Sequence, residues 1–111
     1  MHADLSNADM SGSRVVAIMD GANLSNANLS NVQWAADMKN QSMGLMRASL
    51  KGANLSGANL HNAQLGRAML KHAKLVNANL QNADMYSAEM DGADMTGADL
   101  TNANFSEAKL H

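Results

Sequence analysis

Small apolar, large apolar and polar positions recur along most of the chain with a period of five residues. From Ala48 to Ala108 an alanine stands at every fifth position without exception, thirteen in all. Two residues after each comes a large apolar residue, from Leu50, Leu55 and Leu60 through Met85, Met90 and Met95 to Leu100, Phe105 and Leu110. The unit is typified by Ala53-Asn54-Leu55-Ser56-Gly57. Five residues advance an α-helix by about 500°, so successive leucines would rotate by roughly 140° and leave no polar face. Two-fold strand alternation holds only locally, with Ala53 and Leu55 on one side and Asn54 on the other. Short extended steps joined by tight turns satisfy both observations. A turn at every fifth residue closes the chain into a square coil, and Asn and Gly suit the corners because they tolerate unusual backbone angles.

These residues resemble the pentapeptide-repeat family. The resemblance covers nearly the whole chain and implies an all-β fold, a right-handed quadrilateral β-helix (a solenoid with four pentapeptides per coil). It also implies that the central Leu or Phe and the small residue two before it point inward. The expected organisation is a single domain over residues 1–111 with about five and a half coils.

Three breaks interrupt the period, near 15–19, 34–38 and 41–42. Val15 to Met19 and Trp34 to Met38 are steps of four. The two short steps are separated by one coil, so they fall at one corner of two matched coils. Gln41 and Ser42 then read as a two-residue insertion, which stacks Leu24 over Leu45 and Leu45 over Leu65. Near this seam Val32 and Met43 occupy slots that alanine fills elsewhere, and Trp34 replaces a leucine. Each is larger than the usual occupant, so the interior there must widen or shift. Trp34 is expected in the core.

Composition narrows the chemistry. The 111 residues include no cysteine and no proline. That excludes a disulfide-stapled module, a cysteine nucleophile and a thiolate metal site. The longest apolar run is too short to cross a bilayer, and no basic segment precedes an apolar one in the manner of a secretory signal. A cytoplasmic location is therefore expected. Ten methionines raise a sulfur-ligand reading, but most sit at central positions, where filling the core is their expected role. The four histidines have no ligand spacing and no cofactor is expected. A regular convex prism offers no pocket in which paired carboxylates would acquire different pKa values. An enzyme is not expected.

Net charge is −2, but the charges are banded. Residues 39–74 hold six bases and no acid, and residues 75–111 hold six acids and one base. With four pentapeptides per coil, Arg47 sits by Arg67 and Lys51 by Lys71, which forms a small basic patch. The same register points Met46 and Met69 outward beside it. Positions 46, 66 and 86 fall in one column, Met-Gly-Tyr, and Tyr86 faces out. Arg47, Lys51, Arg67, Lys71, Met46, Met69 and Tyr86 are the candidate partner-binding residues. The patch is too small, and flanked by too much acid, for direct nucleic-acid binding.

The expected function is a non-enzymatic structural or protein-interaction rod, a scaffold or accessory subunit that docks on protein partners. Neither end of the repeat carries a cap, which predicts self-association into a homo-oligomer or burial of an end in an assembly. An alternative comes from the resemblance. Some pentapeptide-repeat proteins protect DNA gyrase from quinolones by mimicking DNA with acidic surfaces, which makes this chain a candidate regulator of a DNA-handling enzyme.

Overall fold

In the computed structural model, residues 3–14, 18–35 and 47–110 are described. Every backbone donor of a typical pentapeptide has a partner, and the unit around Leu55 shows how. Ala58 N–H closes the turn on Leu55 C=O at 3.0 Å, and Ser56 N–H is accepted by Asn54 Oδ1 at 3.0 Å. The other three donors leave the unit. Asn54 N–H reaches Ala22 C=O (2.9 Å) on one side, while Leu55 and Gly57 N–H reach Lys74 C=O (2.6 Å) and Val76 C=O (2.8 Å) on the other. Burying backbone requires this full accounting, and it explains the Asn or Asp before the central residue. Its side chain satisfies the donor that neither the turn nor the neighbouring level can take.

The levels are joined by parallel bridges in four columns. One runs Asp4, Asn23, Asn54, Lys74, Asp94, and the next Asp9, Asn28, Asn59, Asn79, Asp99. A third links Gln33, Gln64, Asp84 and Asn104, and the fourth Ile18, Ser49, Met69, Glu89 and Lys109. The expectation of an all-β quadrilateral β-helix solenoid is corrected here. Each bridge stands alone, and among the described residues there is no β-strand, sheet, barrel or helix. The physical reason is the period itself. A turn every five residues leaves one paired residue per unit, too few for the consecutive pairs that make a strand.

The stacking register differs from the sequence expectation as well. The first levels pair Asp4 with Asn23, and the later ones advance by four full pentapeptides, as from Asn59 to Asn79. Between them comes a longer step, from Asn23 to Asn54 and from Ile18 to Ser49. Leu24 therefore stacks toward Leu55, its N–H bonding Asn54 C=O at 2.7 Å, and not toward Leu45. Ser49 is bridged to Ile18 on one side and Met69 on the other, so the fourth column passes directly from Ile18 to Ser49. Among the described residues three of the columns have five rungs and the third has four. The breaks at 34–38 and 41–42, and Val15, Met38 and Met43, fall wholly or partly outside the described residues.

The core is the double ladder of alanines and large apolar residues, from Ala22 and Leu24 to Ala88 and Met90, each at most 2% exposed. Trp34 lies in it, 1% exposed, and donates its indole N–H to Ser13 Oγ at 3.0 Å. Val32 is also fully buried in its alanine slot. Its turn hydrogen bond to Leu29 C=O is stretched to 3.5 Å, against 3.0 Å for the corresponding bond of Ala58. This is the local cost of the larger side chain. In the last level the ladder opens, with Leu100 and Leu110 exposed.

Candidate functional site

Four corner columns carry the residues of positive φ, and three of them, His72 apart, follow one rule. Asn7, Asn26, Gly57, Asn77 and Gly97 share one corner, and Gly12, Asn31, Asn62, Asn82 and Asn102 another. Gly21, Gly52, His72 and Gly92 share a third. Glycine takes such angles freely and Asn tolerates them. The fourth corner departs from the rule: Arg67 (φ 65°), Ser87 (φ 55°) and Glu107 (φ 59°) occupy it. Left-handed backbone in such residues costs about 1–2 kcal/mol each, so their side chains are retained against a local conformational penalty.

Two of those side chains, Arg67 and Glu107, meet around Tyr86. The Arg67 guanidinium lies over the Tyr86 ring, 5.3 Å from its centroid, in cation–π range. The Tyr86 hydroxyl donates to Glu107 Oε2 at 2.7 Å. Arg67 stands one level before Tyr86 and Glu107 one level after. One level before Tyr86 in this column stands Gly66, flanked by Ala35 Cβ at 3.7 Å from where a Gly66 side chain would start. Ala35 is thus a neighbour of Gly66 in this column. The longer step at the seam brings it there, and Met46 itself lies outside the described residues.

The other candidate residues are more dispersed. Arg47 reaches two levels to Glu89, with Nη1 to Oε2 at 2.8 Å. It passes the level of Met69, which is half-buried and bridged to both Ser49 and Glu89. Lys51 and Lys71 do stack, through Gly52 N–H to Lys71 C=O at 2.9 Å. An acid follows at either end of that pair. Gly21 N–H bonds Lys51 C=O and His72 N–H bonds Asp91 C=O, so the column reads Asp20, Lys51, Lys71, Asp91. The Asp20 carboxylate accepts hydrogen bonds from Ser49 Oγ and Lys51 N–H. The basic band of the sequence is therefore interleaved with carboxylates in space.

Four aspartates have their carboxyls held below the ordinary carboxylate range. For Asp4 and Asp9 the main cause is the hydroxyl of Ser6 and Ser11, followed by the N–H of the same residue. Asp94 is held down chiefly by the Thr96 hydroxyl, and Asp99 by the Thr101 hydroxyl and then the Gln81 amide. None of the four is among the candidates read from the sequence, where the recurring Asp-x-Ser/Thr spacing is the available signal. Among the described residues no group of three or more His, Asp and Glu side chains is placed to hold a metal ion, and no helix is long and apolar enough to cross a membrane.

The chain belongs to the pentapeptide-repeat family. Eight copies of the repeat match over residues 17–34, 45–82, 63–102 and 78–111. No curated protein matches the sequence. Among solved structures, the chain is similar to a trypsin-treated variant of QnrB1, described as a plasmid-mediated fluoroquinolone resistance protein. The TM-score is 0.79 at 22% identity, covering 96% of this chain and 50% of that one. A pentapeptide-repeat protein of the Arabidopsis thaliana thylakoid lumen gives a TM-score of 0.53 at 25% identity, covering 96% and 63%. Rfr23 from the cyanobacterium Cyanothece 51142 gives 0.50 at 24% identity, covering 98% and 84%. The chain thus spans half the length of that QnrB1 variant, and its likeness to QnrB1 is one of fold.

Proposed function

We propose that this non-enzymatic pentapeptide-repeat chain acts by binding a protein, and that its partner is a DNA-handling enzyme such as DNA gyrase, which it regulates in place of DNA. One observation carries the reading. Asp94 and Asp99 stand exposed on adjoining sides of the last level, each held ionised by a threonine hydroxyl. Together with Asp84, Asp91 and Glu107 they make the 84–107 segment predominantly acidic, with Lys109 of the last level and Arg47 set against Glu89. A positively charged DNA channel recognises fixed anionic charge on a rigid support. The fold shared with QnrB1, named for fluoroquinolone resistance, supports this reading over a generic scaffold. Of the basic residues of the middle, Arg47 is paired with Glu89 and the lysine pair lies between Asp20 and Asp91, while Lys74 stands one level from Asp94.

A gyrase supercoiling assay with a fluoroquinolone tests the reading. The full chain is expected to restore supercoiling in the presence of drug, and D94N/D99N to do so less well. No effect of the chain at any concentration up to its solubility would overturn it.

A further inference from the structure

The strip formed by Arg67, Tyr86 and Glu107 has a property that neither the acidic end nor the basic patch has: it is complementary to itself. Its three side chains lie on successive levels, a cation, an aromatic ring and a carboxylate, about 4.8 Å apart along the stack. A two-fold axis through Tyr86, perpendicular to the stack, reverses that order. It brings the Arg67 of one copy to the height of the Glu107 of the other, twice, and sets the two Tyr86 rings together at the axis. From this we infer that Arg67, Tyr86 and Glu107 form an isologous interface with a second copy of this chain, the two stacks lying side by side and antiparallel.

Three observations support the surface. The ring is held in place before any partner arrives, by Arg67 over its face and Glu107 on its hydroxyl, so little side-chain freedom is lost on binding. Its neighbours in the same column are small, Gly66 one level before and Ser106 one level after, and Tyr86 itself is half-exposed. The third is the corner itself. Arg67, Ser87 and Glu107 take left-handed backbone where the other columns use Gly or Asn, with His72 the one exception. Tyrosine and arginine are also the side chains that most often anchor protein interfaces.

Sedimentation velocity of the full chain tests the assignment. The wild type is expected to sediment as a dimer. R67E and E107R, each placing like charges opposite one another, are expected to weaken it by at least about tenfold. R67E/E107R restores the cross-pairing and is expected to restore the dimer. A monomeric wild type, or a dimer indifferent to both single reversals, would overturn the inference. So would a dimer that L110D, at the open end of the ladder, abolishes while R67E does not. Because the chain has no cysteine, S87C gives a second readout that does not depend on charge reversal. Mild oxidation is expected to cross-link S87C and not T101C, and equal cross-linking at both positions would overturn the interface.

Discussion

Asn26 Oδ1 fills the space that a side chain on Gly57 would need, although the two are far apart in sequence. The same contact recurs in this corner between Asn77 and Gly97, and in another between His72 and Gly92. Where one level supplies a side chain that folds across the corner, the next supplies a glycine to receive it. Gly12 and Gly52 have no such neighbour within 4 Å. They are glycines only because of their backbone angle.

That difference separates two substitutions that look alike in sequence. Gly57→Ala meets both the left-handed backbone (φ 70°) and the Asn26 amide. Gly52→Ala meets the backbone alone (φ 67°). G52A is expected to cost about 1–2 kcal/mol, and G57A measurably more. Urea unfolding of the two variants side by side checks the order. Equal losses would mean that the Asn26 side chain moves aside freely.

Trp34 and Ser13 make a second sensitive pair. Ser13→Ala leaves the buried indole N–H without its acceptor and is expected to destabilise by about 1–3 kcal/mol. Trp34→Ala opens a cavity in the core and is expected to cost about 3–5 kcal/mol. Trp34 is the only tryptophan, so its fluorescence reports directly on this level. Emission is expected at the short wavelengths of a buried indole and to shift to the red only on unfolding.

Burial along the ladder predicts a gradient of sensitivity. Leu60 is fully buried and Leu110 is 50% exposed. Leu60→Ala is expected to cost about 2–5 kcal/mol, and Leu110→Ala a small fraction of that. Thermal melts of the two variants are expected to differ by many degrees. Similar losses would show that the last level is covered in solution.

Acid sensitivity follows from the aspartates at the turns. Hydrogen bonds from Thr96 to Asp94 and from Thr101 to Asp99 favour the ionised carboxyls and lower their pKa. A carboxyl depressed in the folded state contributes stability that is present above its unfolded pKa and is lost as pH falls through the folded value. Stability is therefore expected to decline toward low pH, with the losses from these groups continuing below the ordinary carboxylate range. Carboxyl NMR titration of T101A is expected to show Asp99 moving up toward its ordinary value. An unchanged Asp99 would mean that the Thr101 hydroxyl does not set its ionisation.

Which residues lie inside is legible in the chain alone. An alanine and a large apolar residue recur every five residues, and a period of five fits neither a helix nor a long strand, so the inner ladder from Ala48 to Met90 needs no coordinates. The Gly and Asn corners are legible for the same reason, because few residues accept left-handed backbone. How the levels stack across the seam is settled only in three dimensions. Pentapeptides are nearly equivalent, so moving one block by two units changes almost nothing locally, and Leu24 finds a similar surface at Leu45 and at Leu55. The choice of Leu55 rests on bridges and hydrogen bonds between levels, and these have no counterpart in the repeat. The same step puts Ala35 beside Gly66, and stacking places Asp20 and Asp91 at the ends of the lysine pair. Side-chain reach settles the rest, since nothing in a five-residue pattern says that Arg47 spans two levels to Glu89 or that Arg67 and Glu107 converge on Tyr86.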